Sequence, residues 1–389
     1  MKRQFLYVIS VFLVLNAFGQ KFNNLAKTPP MGWNSWNKYG CDVSEKLLMG
    51  MADAMVSSGM QDAGYEYLVI DDCWQVSRDE NGEIVVDKDR FPHGIKYLAD
   101  YIHSKGLKFG IYSCAGTKTC AGRPGGCGHE YQDARTYARW GVDYLKYDWC
   151  NTSTQDAKAS YTTMRDALYA TGRPVVFSLC EWGATKPWEW ATEVGHLWRT
   201  TFDISDRWNS VLNILDQQKE LSRYAGPDHW NDPDMLEVGN GRMSTEEYRS
   251  HFSLWCMMAA PLIAGNDLEN MSPETLEILT NKEMIAVDQD AFGKQGTCFR
   301  DNGDFEIWVK KLINNEVSIC LLNRSEEDKE VQVNLESLLK DIGIWNYDTD
   351  KLENFIVRDL WKHENLKIKD LSRIKMAPHT VKVYRFKRS

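Results

Sequence analysis

Short apolar runs alternate with amphipathic segments from residue 30 to about residue 293. Candidate strands lie at 67–71, 108–113, 144–149, 175–180, 197–201 and 261–264, and candidate helices at 44–58, 95–105, 130–140 and 160–171. Strands that alternate with helices of about 10–15 residues are typical of βα units with a parallel sheet. About 260 residues of such units predict a (β/α)8 TIM barrel, which we place at 27–293.

The pattern changes after Gly293. Apolar residues then alternate with polar ones in three stretches: Phe305, Ile307 and Val309; Val317, Ile319 and Leu321; Val331, Val333 and Leu335. A period of two predicts half-buried strands, and charged turns separate them. We therefore expect an α/β protein in which the barrel is followed by a C-terminal antiparallel β-sandwich domain at 294–389.

The first residues form a separate segment. Lys2 and Arg3 precede an apolar run at 5–18, and Ala17 and Gly19 stand at the small-residue positions of a cleavage site. This pattern predicts a signal peptide at 1–19, and its apolar run is shorter than the roughly 20 residues of a membrane span. A short membrane anchor is the alternative. We expect export to a periplasmic or extracellular space, or to a lysosome or vacuole in a eukaryote, and no membrane partner.

Charge and metal-ligand content narrow the class of function. The formal net charge is −9, and the sequence has no basic stripe, so nucleic acid is not an expected partner. The eight His residues form no His-x-His or His-x-x-x-His pair, and no Cys-x-x-Cys occurs, so we expect no metal site. Ten Cys in an exported chain predict disulfides.

Acidic residues recur where the predicted strands end: Asp71, Asp72, Asp148, Glu181, Asp203, Asp232 and Asp234. Catalytic groups of such barrels lie at the carboxyl ends of the strands. Ionised carboxylates accept hydrogen bonds from sugar hydroxyls, and glycosidic cleavage needs two carboxyl groups. A single Asp at such a position would more simply cap the next helix. Seven acids in series instead predict a sugar-cleaving site.

Lys146 and Asp148 point to the same side of a strand, since side chains alternate. A neighbouring cation would hold the pKa of Asp148 low and keep it ionised; a structural ion pair is the alternative. Asp203 follows roughly two βα units later, so the two acids could face each other from strands four and six. Carboxyl groups about 5–5.5 Å apart would mean retention of configuration, and a wider gap would mean inversion.

Eight short segments carry a resemblance to a known family: 31–36 (MGWNSW), 65–74 (YEYLVIDDCW), 90–95 (RFPHGI), 110–113 (GIYS), 118–122 (KTCAG), 146–148 (KYD), 179–183 (LCEWG) and 230–235 (WNDPDM). In this order, and across nearly the whole chain after residue 19, they resemble glycoside hydrolase family 27, the α-galactosidase or melibiase family. The resemblance implies a barrel with a C-terminal β domain and a retaining double displacement without metal or organic cofactor.

The same resemblance assigns roles. It implies that Asp148 is the nucleophile and Asp203 the general acid/base, whose pKa should be raised. It places around the sugar Trp33, Asp71, Asp72, Tyr112, Lys146, Glu181, Trp182 and Arg199. By analogy the Asp71–Asp72 pair accepts from the 4- and 6-hydroxyls, Lys146 faces the 3-hydroxyl, Glu181 and Arg199 lie near the 2-hydroxyl, and Trp33 packs on the ring.

The resemblance also implies two disulfides, Cys41–Cys73 and Cys120–Cys150. It leaves the other cysteines unassigned: Cys114, Cys127, Cys180, Cys256, Cys298 and Cys320. Cys256 and Cys320 lie in apolar runs and are expected to be buried thiols.

The identity of the sugar depends on few positions. By the same resemblance, the bulky carboxylate of Glu181 implies a free 2-hydroxyl, hence galactose over N-acetylgalactosamine. The intact Asp71–Asp72 pair implies galactose over β-L-arabinopyranose. We therefore expect an exo-acting α-galactosidase whose partner is a galactose-containing oligosaccharide. The alternatives are an α-N-acetylgalactosaminidase or β-L-arabinopyranosidase of the same family, a non-catalytic galactose-binding protein, or a metal-dependent barrel hydrolase. Oligomeric state, natural linkage and aglycone preference stay open.

Overall fold

A computed structural model describes residues 21–344, 351–367, 371 and 373–389. The predicted signal peptide lies outside these residues. Within the described ranges, no helix has both the length and the apolar character needed to cross a membrane.

Eight parallel strands form the first domain, in ring order β8-β1-β2-β3-β4-β5-β6-β7. They are β1 Met31–Asn34, β2 Tyr67–Ile70, β3 Lys108–Cys114, β4 Tyr144–Asp148, β5 Val176–Cys180, β6 Leu197–Arg199, β7 Trp230–Asp232 and β8 Leu262–Ala264. A bridge between Leu236, just after β7, and Ala264 of β8 closes the ring. The predicted (β/α)8 barrel is confirmed, and the predicted strands agree with the observed ones to within two residues at their ends.

Helices surround the ring. Those of seven or more residues are α1 Glu45–Ser57, α2 Ile95–Ser104, α3 Glu130–Trp140, α4 Ala157–Ala170, α5 Trp208–Gln218, α6 Thr245–Met258, α7 Pro273–Leu279 and α8 Lys282–Asp288. Two helices of four residues, Trp36–Tyr39 and Met60–Ala63, lie before and after α1. Local sequence fixes several starts: the Ser44 side chain accepts from the backbone of α1, and Ser244 and Glu247 form a capping box at α6. Between β5 and β6 the described chain makes two 3-10 turns, Pro187–Glu189 and Ala191–Glu193, instead of an α-helix.

Successive side chains of each barrel strand point alternately to the inside and the outside of the ring. On β2, Leu68 and Ile70 pack into the core beneath the helices, whereas Tyr67 and Val69 pack inside the ring. Side chains of a strand alternate in this way because of the pleat. This direction matters for the site, because a residue that points inward near the carboxyl end of a strand faces the mouth of the barrel.

The C-terminal domain is a sandwich of a six-stranded and a two-stranded antiparallel sheet. Its elements are β9 Thr297–Asp301, β10 Phe305–Lys311, β11 Val317–Asn323, β12 Lys329–Gln332, α9 Leu335–Asp341, β13 Phe355–Asp359, β14 Glu364–Leu366, β15 Arg373–Met376 and β16 Val381–Arg388. The large sheet runs β9-β10-β11-β16-β13-β14, and β12 pairs with β15. This confirms the predicted antiparallel domain.

The large sheet is buried on both faces. One face, with Ile307 and Ile319, packs against α9 and the small sheet. The other face, with Trp308 and Cys320, belongs to the same continuous core as the barrel. The period of two along β10 and β11 therefore divides their side chains between two cores rather than between core and solvent.

One predicted strand is partly wrong. Val331 lies in β12, but the chain leaves the sheet after Gln332, and Leu335 begins α9. Asn334 caps this helix by accepting from the Ser337 backbone N–H at 2.9 Å. The alternation of Val331, Val333 and Leu335 ended at a helix start that the hydrophobic pattern alone did not mark.

Candidate active site

A cavity of about 380 Å3 opens at the carboxyl ends of the barrel strands. Of the ten residues predicted around the sugar or in catalysis, eight line it: Asp71, Asp72, Tyr112, Lys146, Asp148, Trp182, Arg199 and Asp203. The topology brings them together from β2 to β6 because parallel strands end at the same face of the barrel. This size suits a small ligand such as a monosaccharide unit.

Asp148 ends β4 at the cavity floor, where it is 6% exposed. Its carboxylate accepts from the Tyr112 hydroxyl at 3.0 Å and from the Trp149 backbone N–H at 2.9 Å. Burial raises the pKa of Asp148 to about 6, although Lys146 and these hydrogen bonds counteract it. We expected the pKa to stay low, and that expectation is wrong because desolvation outweighs the neighbouring cation.

Lys146 pairs with Asp71 rather than with Asp148. Its Nζ lies 2.8 Å from Asp71 Oδ2, which also accepts from the Asn34 side-chain amide at 2.7 Å. The cation therefore acts on Asp148 only through space, which corrects the ion pair we considered along the strand. All three groups are inward residues near the ends of their strands, and their charges face the cavity floor.

Asp72 joins the floor to a loop at the rim. Its Oδ1 accepts from the Cys73 N–H and its Oδ2 from the Ala121 N–H, at 2.7 and 2.9 Å. Burial raises the pKa of Asp72.

Both predicted disulfides are present, joining Cys41 to Cys73 and Cys120 to Cys150. Cys120 itself lines the cavity, so the second disulfide ties the rim loop to the end of β4.

Asp203 lies at the mouth, in the loop after β6, and its side chain is 67% exposed. Partial burial raises its pKa, but the Arg199 guanidinium, 3.0 Å away, together with Lys146, outweighs burial and holds the pKa below the ordinary value. The raised pKa that we expected for Asp203 is therefore not found in the site without substrate. The pKa is lower because Asp203 stays in contact with water and with the buried Arg199.

Asp234 organises this side of the site. Its Oδ2 lies 2.9 Å from Arg199 Nη2, which also contacts Asp203, and accepts from the Ile204 N–H at 2.8 Å. Asp234 has a positive φ of 83°, a conformation that side chains disfavour. In the sequence Asp234 is one of several acids at strand ends; in the structure it contacts Arg199 and Ile204, which lie on either side of Asp203 along the chain.

Two predicted residues do not line the cavity. Trp33 is fully buried on the outer side of β1, next to the Tyr39 ring, and donates to the Asn266 carbonyl at 2.8 Å. Because Asn34 points inward, its neighbour Trp33 must point outward, so Trp33 does not cover the sugar face as expected. Glu181 is also fully buried, and its carboxylate accepts from the Thr185 N–H at 2.7 Å.

Several cavity residues are not predicted from the sequence. They lie on the segments that follow β1, β6 and β7: Trp36, Asn37, Asp206, Glu237, Asn240 and Arg242. The first two of them begin the short helix Trp36–Tyr39. Trp36 belongs to the segment 31–36 that carries the family resemblance, and its position just past the end of β1 is the signal that could have identified it. Burial raises the pKa of Glu237 to about 7, while hydrogen bonds from Asn240 and Asn37 counteract it.

One grouping of metal-ligand side chains touches the cavity. The sulfurs of Cys120 and Cys150 and a carboxylate oxygen of Asp148 all lie within 4.8 Å of one another. Because the two sulfurs are joined in a disulfide, they have no thiolate to offer a metal. The cavity thus combines a buried carboxylate, an exposed carboxylate and a polar floor, a set suited to binding a polyol and cleaving a glycosidic bond.

Comparison with known proteins agrees with this chemistry. Residues 28–290 match the family model described as alpha galactosidase A, and residues 302–386 match the alpha galactosidase C-terminal beta sandwich domain. The chain is 54% identical to alpha-galactosidase A of Cellvibrio japonicus over 97% of its own length and 96% of the relative's.

Two solved structures extend the likeness to the fold. The crystal structure of alpha-galactosidase I from Mortierella vinacea superposes with a TM-score of 0.89 at 40% identity, covering 94% of this chain and 98% of the other. The alpha-galactosidase of Saccharomyces cerevisiae with raffinose superposes with a TM-score of 0.85 at 30% identity, covering 94% and 99%.

Proposed function

The chain belongs to the α-galactosidase family, glycoside hydrolase family 27, and hydrolyses terminal α-galactosyl residues; on that premise we propose that Asp148 and Asp203 perform the reaction by a retaining double displacement. The observation that carries the proposal is the contrast between the two acids. Asp148 is buried on the floor of the cavity, where no cation of the described residues forms an ion pair with it, and Asp203 is exposed at its mouth.

The first step needs an ionised Asp148 and a protonated Asp203. A carboxylate oxygen of Asp148 bonds to the anomeric carbon, the glycosidic C–O bond breaks, and Asp203 gives its proton to the leaving oxygen. In the second step a water molecule attacks the anomeric carbon. Asp203 takes a proton from that water, and the ester bond to Asp148 breaks. Two displacements on one carbon return the galactose in its original configuration.

Substrate binding supplies the protonation that the free site lacks. The Asp203 carboxylate is exposed and its pKa is lowered by Arg199. A sugar that covers the mouth removes water from this carboxylate, which disfavours its charged form and raises its pKa. Esterification of Asp148 then removes one negative charge, so Asp203 can act as the base.

The floor provides the recognition of galactose. Asp71 and Asp72 offer carboxylate oxygens to the 4- and 6-hydroxyls, and the Lys146 ammonium donates near the 3-hydroxyl. Each of these groups is already held by a neighbour, through the Lys146–Asp71 pair and the Ala121 N–H on Asp72. Held groups lose little freedom when they bind a hydroxyl, so the site is pre-organised for an axial 4-hydroxyl. The substrates are galactose-containing oligosaccharides.

We further propose that the enzyme is exported. The support is the sequence of residues 1–19, with Lys2 and Arg3 before the apolar run and Gly19 at the cleavage position. Mass spectrometry of the protein secreted by an expressing cell should give a first residue at position 20. A protein that keeps residues 1–19 would refute cleavage at Gly19.

Azide rescue tests the two catalytic roles. We expect Asp148→Ala to reduce turnover of an aryl α-galactoside to the detection limit, and added azide to yield the inverted β-galactosyl azide. We expect Asp203→Ala to lose about 100- to 10,000-fold, and azide to yield the retained α-galactosyl azide. Asp100→Ala, an exposed acid on α2, is the matched control and should remain fully active.

The anomeric configuration of the azide product decides the assignment. Inverted azide from Asp203→Ala, or retained azide from Asp148→Ala, would exchange the roles. Normal turnover by Asp148→Ala would remove that residue from the mechanism.

A further inference from the structure

The leaving group must lie on the solvent side of Asp203. Asp148 is 6% exposed on the floor, whereas the Asp203 side chain is 67% exposed at the mouth. Under the proposed function Asp203 protonates the leaving oxygen, so that oxygen and the group attached to it are next to Asp203. The galactosyl ring fills the polar floor, and the leaving group extends outward.

Phe202 stands at this place. It directly precedes Asp203 and is 75% exposed, more than any other large apolar side chain that the structure describes. Its ring faces the ring of Trp182, with centroids 6.4 Å apart and planes 19° apart. Trp182 lines the cavity beside Asp203, and its side chain is one of the groups that hold the pKa of Asp203 low. Two nearly parallel aromatic rings therefore flank the residue that meets the leaving oxygen.

Backbone packing holds the two rings in place. Trp182 has a φ of 57°, a left-handed conformation that side chains disfavour, and Gly183 follows with a φ of 78°. A Cβ at Gly183 would lie 2.4 Å from the Thr200 carbonyl oxygen, so the turn that carries Trp182 touches the segment that carries Phe202. Disfavoured conformations of this kind persist where the surrounding structure enforces them, often at ligand sites.

We propose that Phe202 and Trp182 form a binding site for the leaving-group sugar, a pyranose whose apolar C–H face lies on the Phe202 ring. This proposal rests on the proposed function, because it takes the side of the leaving group from the role of Asp203. A pyranose has one face of C–H groups and a rim of hydroxyls, so it can cover an aromatic ring while its hydroxyls stay in water. The site selects a flat, amphipathic leaving group rather than a charged one.

The test compares two substrates that differ only in the leaving group. Melibiose releases glucose, whereas α-galactosyl fluoride releases fluoride and has no leaving sugar to bind. We expect Phe202→Ala to lower the ratio of kcat/KM for melibiose to kcat/KM for the fluoride about tenfold, which equals about 1.4 kcal/mol. Phe202→Tyr should keep the wild-type ratio because it keeps the flat ring. Phe202→Leu has no ring and should lower the ratio nearly as much as Phe202→Ala.

Phe292→Ala is the matched control, since Phe292 is also an exposed phenylalanine, at 46%, and is not part of the cavity wall. This variant should leave the ratio unchanged. An unchanged ratio in Phe202→Ala overturns the proposal, and so does an equal loss on both substrates, which would mean that Phe202 supports the galactosyl site.

Size-exclusion chromatography of the same variants tests whether a second copy of this chain, rather than a sugar, binds to the Phe202 ring. A change of oligomeric state in Phe202→Ala without a change in the ratio would assign the ring to a contact between copies of this chain and overturn the proposal. Wild-type protein that fails on the fluoride would refute the proposed function itself, and with it this inference.

Discussion

Replacing Tyr112 with phenylalanine removes one hydrogen bond from the proposed nucleophile and little else. The Tyr112 hydroxyl donates to Asp148 Oδ2 at 3.0 Å in a buried site. This hydrogen bond favours the ionised carboxylate and so lowers the pKa of Asp148, which burial nevertheless raises to about 6. Without the hydroxyl the charged form loses a partner, and the pKa must rise further.

The size of the rise follows from the strength of the bond. A hydrogen bond to a charged group contributes about 1.5–3 kcal/mol, and one pKa unit equals about 1.36 kcal/mol. The pKa of Asp148 in Tyr112→Phe should therefore be about 7–8. At pH 6 the ionised fraction would fall from about one half to about one tenth or less, and near pH 9 it would hardly change.

α-Galactosyl fluoride is the substrate for the assay, because fluoride leaves without a proton and kcat/KM then reports the ionisation of Asp148 without that of Asp203. The acid limb of the pH profile should lie near 6 in the wild type and move up by about one to two units in Tyr112→Phe. Tyr131→Phe, on the exposed face of α3, is the control and should show the wild-type profile. An acid limb that stays in place, or moves down, would refute the account of how Asp148 is ionised.

Three further predictions concern stability. Because burial raises the pKa of Asp148 from its ordinary 3.8 to about 6, this group binds a proton more tightly in the folded state, and its effect on stability falls as pH rises through that window. Asp148→Asn should therefore raise the free energy of unfolding in urea by up to about 3 kcal/mol at pH 7.5 but not at pH 4, and equal effects at the two pH values would contradict this. Lys146→Met leaves Asp71 buried without its cation and should cost about 3–5 kcal/mol in the same assay; a neutral result would mean that the Lys146–Asp71 pair does not stabilise the fold. Replacing Cys120 and Cys150 together with serine opens a loop of 30 residues, which should cost about 3–4 kcal/mol, and unchanged thermal unfolding would show that the loop is held by other contacts.

Much of the fold was predictable because the spacing of apolar residues and the residues at the strand ends can be read from short stretches of sequence. Alternating βα units gave the barrel, and the period of two gave the C-terminal sheet. The boundary between β12 and α9 was not predictable from hydrophobic spacing, since Val331, Val333 and Leu335 fit a continued strand as well as a strand that ends before a helix. The Asn334 cap decides between them, and a cap has meaning only once the helix is placed.

The sequence predicts most of the residues that line the cavity, but not which of these residues contact each other. The acids at strand ends converge because parallel strands share one end of the barrel. Which of them Lys146 contacts depends on the spacing around the ring, and the answer is Asp71 on β2. The orientation of Trp33 followed a rule that was available: once Asn34 is inward, Trp33 is outward. The pKa values of Asp148 and Asp203 depend on burial, which a sequence does not state.

The core shared by barrel and sandwich has a consequence for how the enzyme can be divided. Trp308 and Cys320 on the large sheet are fully buried in the same core as Trp255 of α6. The buried Lys310 side chain donates a hydrogen bond to the Cys256 carbonyl at 3.0 Å. Cutting the chain after Gly293 would strip an apolar wall from α6 and leave carbonyls of the barrel without their donor. The catalytic half should then precipitate when made alone, and grafting a different sandwich onto this barrel requires keeping the inner face of its sheet, whereas the far face is open to redesign.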